Sequence, residues 1–351
     1  MAKADSSART ALQPDVPDRI IATGLLRARK ILRVTDLRLE TDFRALVALV
    51  SVAALPLVAA RDVEPRRVVV PGLAQSYAET VPSAKVELFR VINAERAAAG
   101  APPLAYDLLG AKVGDEFCRD AARNRTSGHW DLAGRPPYLR WALAGGVDHH
   151  AQNFAAESRH GFEFTEAPVE LLKKTHAAFM SEKAPDDGHR KTVLDPIWTH
   201  VGIGFSIVEG EMRMTEEFSR RVLEWAELPA GPVKAGKTAP VALKVPRGWK
   251  IGAVEVAYEG FPKPMSRAEI AARRSYAMPP AWRTFRPYLP AGTRWASGET
   301  GDFRQSAEGR IELTIPLDRG PGHYYVVVFA SKGEPAGGKL FPVAAPMVEA
   351  Q

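Results

Sequence analysis

Residues 201–218 read VGIGFSIV-EG-EMRMTEEF, and this stretch decides the fold class. Apolar and polar side chains alternate on both sides of Glu209-Gly210, which is typical of two antiparallel strands joined by a two-residue hairpin. Upstream, apolar residues recur at helical spacing and predict helices from Ser83 to about Gly100, over 108–125 and over 168–182. Helices flanking antiparallel strands indicate an α+β layered fold.

The composition shifts near residue 228. Pro229, Gly231, Pro232, Gly236 and Pro240 mark a linker, and short alternating runs separated by Pro/Gly turns follow it. This pattern is typical of a small β-sandwich. We therefore predict an α+β domain over 83–226, a linker over 227–240 and a smaller all-β, sandwich-like domain over 241–351.

The chain has 351 residues, too many for one ordinary core, and its 46% hydrophobic and 25% charged residues are typical of globular proteins. The net charge of +6 is mild, and no basic stripe interleaved with aromatics occurs in the folded part, which argues against nucleic-acid binding. The single cysteine, Cys118, excludes an intrachain disulfide, and we expect it to be a small buried residue on a helix.

Residues 45–60 form an uncharged apolar run of ALVALVSVAALPLVAA that follows a basic leader. The run is shorter than the ~20 residues of a membrane-spanning helix, and it ends in small residues, as secretory signals do. Three alternatives stay open: a cleaved signal, a retained membrane anchor or a buried helix. We therefore predict a leader with signal or anchor over 1–61, a linker over 62–82, and an extracytoplasmic location (secreted, periplasmic or anchored at the cell surface).

Several short motifs carry the residues that could do chemistry. They are Asn93 and Arg96 before Gly100 and Pro103-Leu104, Ser127-Gly-His129, Ala151-Gln152-Asn153-Phe154-Ala155, Phe179-Met-Ser-Glu182, Asp187-Gly-His189-Arg190, and Val201-Gly-Ile-Gly204 with Glu217-Phe218. In this order and rough spacing they resemble the CAP family (cysteine-rich secretory protein, antigen 5, pathogenesis-related), including bacterial SCP-like extracellular domains, over residues 83–220.

The resemblance implies an α-β-α sandwich around a cleft lined by two histidines and two acids, where some members bind a divalent metal. His129, Glu182 and His189 match three of these four positions, and Gln152 stands where the family has a glutamate, beside Asn153. A glutamine cannot act as a general base and binds hard metals more weakly than a carboxylate does. Zn²⁺ or another divalent metal would therefore meet an incomplete site of His129 and His189, with Glu182 as a candidate third ligand.

We predict a non-enzymatic, exported binding module whose cleft of His129, Gln152, Asn153, Glu182 and His189 holds a small ligand, a peptide or a divalent metal. The expected partners are a small molecule, lipid, peptide or cell-envelope component, with membrane contact only through the N-terminal segment if it is uncleaved. Enzymatic activity is left open and disfavoured, because no Ser or Cys nucleophile motif and no His-Glu-x-x-His run occurs.

Two alternatives remain. One is a metal-dependent hydrolase of peptides or cell-envelope polymers. The other is a surface adhesion protein acting through its β domain, where Trp249, Trp282 and Trp295 are candidates for a sugar-binding face. The other histidines are expected to be structural or exposed: His149-His150 and His323 solvated, His160 and His200 structural or exposed, His176 on a helix face. Trp198 and Phe205 are expected in the core or the cleft wall.

Overall fold

A computed structural model of the chain describes residues 83–159, 163–273, 275–333 and 339–351. The predicted leader over 1–61, the linker over 62–82 and His160 lie outside the described residues. The first half contains α1 (Ser83–Ala98), β1 (Ala105–Tyr106), α2 (Leu108–Arg123), α3 (Pro137–Leu143), β2 (His149–Ser158), α4 (Pro168–Met180), α5 (Gly188–Leu194), β3 (His200–Val208) and β4 (Glu211–Arg220). The predicted helices and hairpin are present, with ends shifted by one or two residues.

Strands of the first half form one sheet in the order β1-β3-β4-β2, with β1 parallel to β3 and the other pairs antiparallel. Both central residues of the β3–β4 turn, Glu209 and Gly210, have positive φ (47° and 73°), as a two-residue hairpin of the predicted kind requires. Helix α2 packs on one face of β3 and β4, while α1 and α4 pack together on the other side. This is the predicted α-β-α sandwich, and it leaves β2 as an edge strand.

Four glycines allow α2 to approach the sheet closely. A Cβ on Gly202 would lie 2.2 Å from Ala111 N, and a Cβ on Gly204 would lie 2.3 Å from Gly114 C. Gly110 and Gly114 in turn face the backbone of β3 from the helix. The helix and the strand therefore meet backbone to backbone, which only residues without side chains permit.

Asn93 and Arg96 of the α1 motif do not line the cleft, and their side chains instead form hydrogen bonds with the backbone of other segments. The Asn93 side-chain amide exchanges two hydrogen bonds with the backbone of Leu104, at 2.7 and 3.0 Å. The buried Arg96 guanidinium donates to the carbonyls of Pro102, Val193 and Asp195. These contacts fix the chain after α1 and the end of α5, where one wall of the cleft begins.

The second half contains β5 (Glu224–Glu227), β6 (Thr238–Lys244), β7 (Trp249–Glu259), α6 (Arg267–Ala272), β8 (Ala281–Phe285), β9 (Arg310–Pro316), β10 (Gly322–Lys332), β11 (Phe341–Ala344) and β12 (Met347–Ala350). One sheet runs β11-β10-β7-β8 with β12 also on β10, and the other runs β5-β6-β9. A single apolar core joins side chains of both sheets, such as Val241, Ile311, Val254 and Val326. The all-β sandwich is thus present, and Thr238 already belongs to β6.

The two halves share a hydrophobic core. Tyr138 and Leu139 of α3 pack in one cluster with Tyr325, Val327 and Phe329 of β10. Backbone contacts add to it, because Ala345 N donates to Val147 O at 3.0 Å and Met265 N donates to Leu132 O at 2.9 Å. The β half therefore lies against the edge of the α+β half, beside β2.

Cys118 is fully buried on α2, as expected, and burial raises the pKa of its thiol. His149 and His150 are buried on β2 rather than solvated, because each ring stacks on an indole, Trp198 and Trp141 respectively.

His323 was expected to be exposed and is buried, because its strand β10 pairs with β7 on one side and β12 on the other. Trp249 and Trp282 are partly buried against the β-sandwich core.

No helix within the described ranges combines the length and the apolar character needed to cross a membrane.

Candidate functional site

A cleft of about 730 Å³ lies where the two halves meet, along the edge strand β2. Its floor includes four of the five predicted site residues, His129, Gln152, Asn153 and His189. One wall comes from α5 and the segment after it, and the opposite roof comes from residues 275–277 and 339–342 of the β half. The predicted histidines and amides are therefore brought together, and the β half completes the enclosure.

The first cleft histidine is oriented by Gln152. Nδ1 of the buried His129 lies 2.9 Å from Gln152 Oε1, while Gln152 Nε2 donates to Glu217 Oε1 at 2.8 Å. Since the amide nitrogen is used on Glu217, Gln152 presents its oxygen to the imidazole, and Nδ1 of His129 must be the protonated nitrogen. The glutamine thus fixes the His129 tautomer.

Glu217 is the first of two residues at the cleft that sequence reasoning did not place there. It is the cross-strand partner of Gln152 and is completely buried, with His150 Nε2 at 2.8 Å from its second oxygen. Burial alone would raise the pKa of this carboxyl, but hydrogen bonds from His150 and Gln152 and the charge of Arg140 hold it below the usual value. Gln152 stands where the CAP family has a glutamate, and the carboxylate of Glu217 lies directly behind it, hydrogen-bonded to the Gln152 amide.

The second cleft histidine is held by Glu182. Glu182 Oε1 lies 2.5 Å from His189 Nδ1, and Glu182 Oε2 accepts the backbone N–H of His189 at 2.9 Å. The imidazole also stacks on Phe179, with ring centroids 4.5 Å apart. Glu182 thus contacts the cleft through His189, as a residue that orients the ring.

Asn153 links the cleft floor to a buried network on the opposite face of the sheet from Glu217. Its amide donates to His189 O at 3.2 Å and to Glu216 Oε2 at 3.0 Å. Glu216 also contacts His176 Nδ1 at 2.5 Å, and His176 Nε2 lies 2.7 Å from Glu95. Burial would lower the pKa of His176, but Glu216 and Glu95 together raise it to about 9.

The roof residue Tyr276 is the second one that sequence reasoning missed. The backbone N–H of Gln152 donates to the Tyr276 hydroxyl at 2.6 Å, and the Tyr276 ring lies 4.7 Å from the His129 ring. No sequence signal marks it, because the contact joins a loop to strand β2 across 124 positions of the chain. This tyrosine covers an edge strand that would otherwise offer unpaired backbone groups to solvent.

The donor set does not fit a tight metal site. A structural zinc ion takes four ligands, and even catalytic sites supply three from the protein. Across the described ranges, no group of three or more His, Cys, Asp or Glu side chains is placed to hold a metal ion. Gln152 is engaged with His129 Nδ1 and Glu182 with His189 Nδ1, so neither adds a ligand to the two imidazoles, and two are fewer than the three that a catalytic zinc site supplies. Zinc binding therefore stays a prediction.

Residues from several of the sequence motifs lie around one cleft, and a comparison with known families matches the same part of the chain. Residues 89–215 match the sequence model of CAP, the cysteine-rich secretory protein family. This part of the chain is a CAP domain. The match ends within β4, so the β half lies outside it.

Three solved structures that the CAP domain resembles come from bacteria. An extracellular protein with an SCP domain from Bacillus anthracis str. Ames is 21% identical over 40% of this chain and 41% of that one, with a TM-score of 0.31. An outer surface protein of Borrelia burgdorferi is 18% identical over 40% and 93%, with a TM-score of 0.32. A cysteine-rich secretory protein from Staphylococcus aureus subsp. aureus Mu50 is 16% identical over 41% and 40%, with a TM-score of 0.27. The chain thus spans less than half the length of the Bacillus and Staphylococcus proteins. No curated protein matches the chain.

Proposed function

We propose that this CAP-domain protein is a non-enzymatic binding module that holds a small amphipathic molecule in the cleft between its two halves. The cleft carries the proposal: its volume of about 730 Å³ lies inside the range of roughly 300–1,000 Å³ that drug-sized ligands occupy. It is built from both halves, so a ligand there would contact the CAP domain on one side and the β half on the other.

The lining supports an amphipathic ligand. The floor offers imidazole and amide groups of His129, Gln152, Asn153 and His189, which are held in place by hydrogen bonds to buried neighbours. The walls offer apolar side chains: Leu194, Ile197, Phe329, Leu340 and Phe341. A few fixed polar groups among apolar walls is the usual composition of small-molecule sites.

Binding is favoured over hydrolysis by the same residues. Gln152 occupies the position nearest His129 and cannot take up a proton as a carboxylate can. The nearest replacement, Glu217, is completely buried and already accepts from Gln152 and His150. A reaction that needs a carboxylate base in the cleft would have no such group beside His129.

An extracytoplasmic site of action belongs to the same proposal. The basic leader and the apolar run at residues 45–60 have the sequence of an export signal or an anchor. Binding a ligand outside the cytoplasm is compatible with a chain whose only cysteine is buried and which depends on no disulfide.

The test is calorimetric titration of 1-decanol into the purified full chain and into Ala277→Trp. Ala277 is exposed at the roof of the cleft, so a tryptophan there fills the cleft without disturbing a core. We expect saturable binding by the wild type and at least tenfold weaker binding by Ala277→Trp. Ala296→Trp, the same substitution at an exposed position outside the cleft, is the matched control and should bind as the wild type does.

Two results would contradict the proposal. One is the absence of saturable binding to the wild type. The other is equal binding by wild type and Ala277→Trp, which would place the decanol elsewhere.

A further inference from the structure

One end of the cleft is formed by a stacked group of three side chains, His149, Trp198 and Arg220. His149 on β2 and Arg220 on β4 are cross-strand partners. The His149 and Trp198 rings are stacked, 5.7 Å apart at 7°, and the Arg220 guanidinium carbon lies 4.5 Å from the Trp198 ring centroid. All three side chains line the cleft, and none of them belongs to the His129–His189 floor.

Each member of this group keeps a buried polar atom without a hydrogen-bond partner among the described residues. The atoms are Trp198 Nε1, Arg220 Nε and His149 Nδ1. The three residues are 5%, 3% and 7% exposed, so bulk water does not replace the missing partners. Buried polar groups without partners are uncommon in folded proteins, and three in one contact group at a cleft wall indicate a ligand position.

The Arg220 guanidinium is only partly used by the protein. Nη1 donates to Pro342 O at 2.6 Å, while Nη2 lies 3.7 Å from Asp195 Oδ2, too far for a hydrogen bond. The edge that carries Nε and Nη2 is the one that binds a planar or tetrahedral oxyanion with two parallel hydrogen bonds. The Trp198 indole Nε1 can only donate a hydrogen bond, so its partner must also be an acceptor.

The side chains that line the cleft carry a net positive charge, which also suits an oxyanion. Four basic residues and one acidic residue line the cleft: Arg190, Lys191, Arg220, Lys339 and Asp195. Burial, followed by the charges of Arg220 and His150, keeps the pKa of His149 well below its usual value, so this imidazole is neutral and can offer an N–H without a charge. Donors and excess positive charge favour a negatively charged group over a neutral one.

We propose that His149, Trp198 and Arg220 form an oxyanion subsite that takes the carboxylate or phosphate of an amphipathic ligand, whose apolar part lies against Leu340 and Phe341. This inference rests on the proposed function of the cleft and names the chemical class of its ligand. The subsite is formed where the CAP domain meets the β half, because Pro342 and Phe341 contact Arg220 from β11.

The test compares decanoate, decyl phosphate and 1-decanol on the full chain at one pH and ionic strength. We expect decanoate or decyl phosphate to bind at least tenfold more tightly than decanol, and the tighter of the two identifies the oxyanion. Trp198→Phe keeps an aromatic ring, although a smaller one, and removes the N–H. Arg220→Lys keeps the positive charge and removes the guanidinium edge that can make two parallel hydrogen bonds. Both should lose the preference for the anion while still binding decanol, and Arg119→Lys, at an exposed position on α2, should keep it.

The outcomes separate the two proposals. Equal affinities for decanol and both anions overturn the subsite and leave the binding function standing, as does an anion preference that survives in Trp198→Phe and Arg220→Lys. If decanol does not bind but inorganic phosphate or acetate binds and is lost in Arg220→Lys, the subsite stands and the amphiphile cleft fails. If Arg220→Lys does not fold, Trp198→Phe alone decides.

Discussion

The imidazole of His176 is almost completely buried in the CAP domain and lies between two carboxylates, the buried Glu216 and the partly exposed Glu95. A cation in this position is stabilised by both neighbours, and its pKa is about 9 against 6.5 for an ordinary histidine. A group whose pKa is higher in the folded than in the unfolded state stabilises the fold most below its unfolded pKa. The network that carries Asn153 and the cleft floor thus depends on the protonation of one histidine.

We therefore expect the free energy of unfolding to fall by about 3 kcal/mol as the pH rises from about 6 through 9, because the extra proton is lost over this window. Urea unfolding of the wild type and of His176→Gln at pH 6 and pH 9.5 measures it. The variant should lack most of this pH dependence. The same fall in both proteins would show that His176 is not the group responsible.

Gln152 shows how far a single residue can be interpreted from sequence. Its substitution for a carboxylate is visible in the motif, and its place in the cleft could be predicted. That the carboxylate stands instead at Glu217 could not, because this depends on which residue lies opposite on β4. Once the register is known, the alternation of Glu216 and Glu217 assigns them to opposite faces of the sheet.

Helix α2 and strand β3 approach each other more closely than side chains allow. A Cβ on Gly204 would lie 2.3–2.5 Å from Gly114 backbone atoms and the Thr215 hydroxyl, so the helix would have to move. We expect Gly204→Ala to lower the free energy of unfolding by about 1–3 kcal/mol, the range for overpacking. Gly231→Ala is the matched control, since nothing lies within 4 Å of its Cβ position, and chemical denaturation compares the two. A neutral Gly204→Ala would contradict the close packing.

The elements themselves could be predicted from periodicity, because a helix or a hairpin is a local pattern. The existence of α1, α2, α4 and the β3–β4 hairpin follows from apolar spacing and from the Glu209-Gly210 turn. The strand β2 could not be predicted from its composition, since His149 and His150 begin it and polar residues usually indicate solvent. Both histidines are buried by stacking on tryptophans from distant segments, and no local pattern reports such partners.

The CAP domain and the β-sandwich share a buried apolar cluster, so we expect them to unfold together as one cooperative unit. Leu139 is fully buried in the cluster formed by α3 and β10. We expect a single cooperative thermal transition, and we expect Leu139→Ala to lower the free energy of unfolding by about 2–5 kcal/mol without dividing that transition. Differential scanning calorimetry measures both. Leu172→Ala, an equally buried leucine inside the CAP domain, is the control for ordinary core loss.

Two resolved transitions, with only one of them shifted by Leu139→Ala, would contradict the prediction that the CAP domain and the β-sandwich unfold together.

At the scale of the whole molecule, the sequence predicts two halves and little about how they pack against each other. The alternating strands after residue 240 indicate a sandwich, but Tyr276 and Phe341 lie in segments whose positions depend on how the sandwich faces β2. The roof of the cleft, like the position of Glu217, is therefore not predicted by sequence motifs.

Tyr276 lies in the connection between α6 and β8, outside the β-sandwich core. Surface connections of this kind tolerate insertions and exchanges far better than strands do. Substitutions in this connection can thus alter the roof, and with it the shape of the cleft, while the histidines, the glutamine and the carboxylates that contact them stay as they are. If the proposed binding function holds, changes in this one short connection would alter which molecules fit the cleft without changing its floor, as sequence changes in antibody loops alter binding on a constant framework.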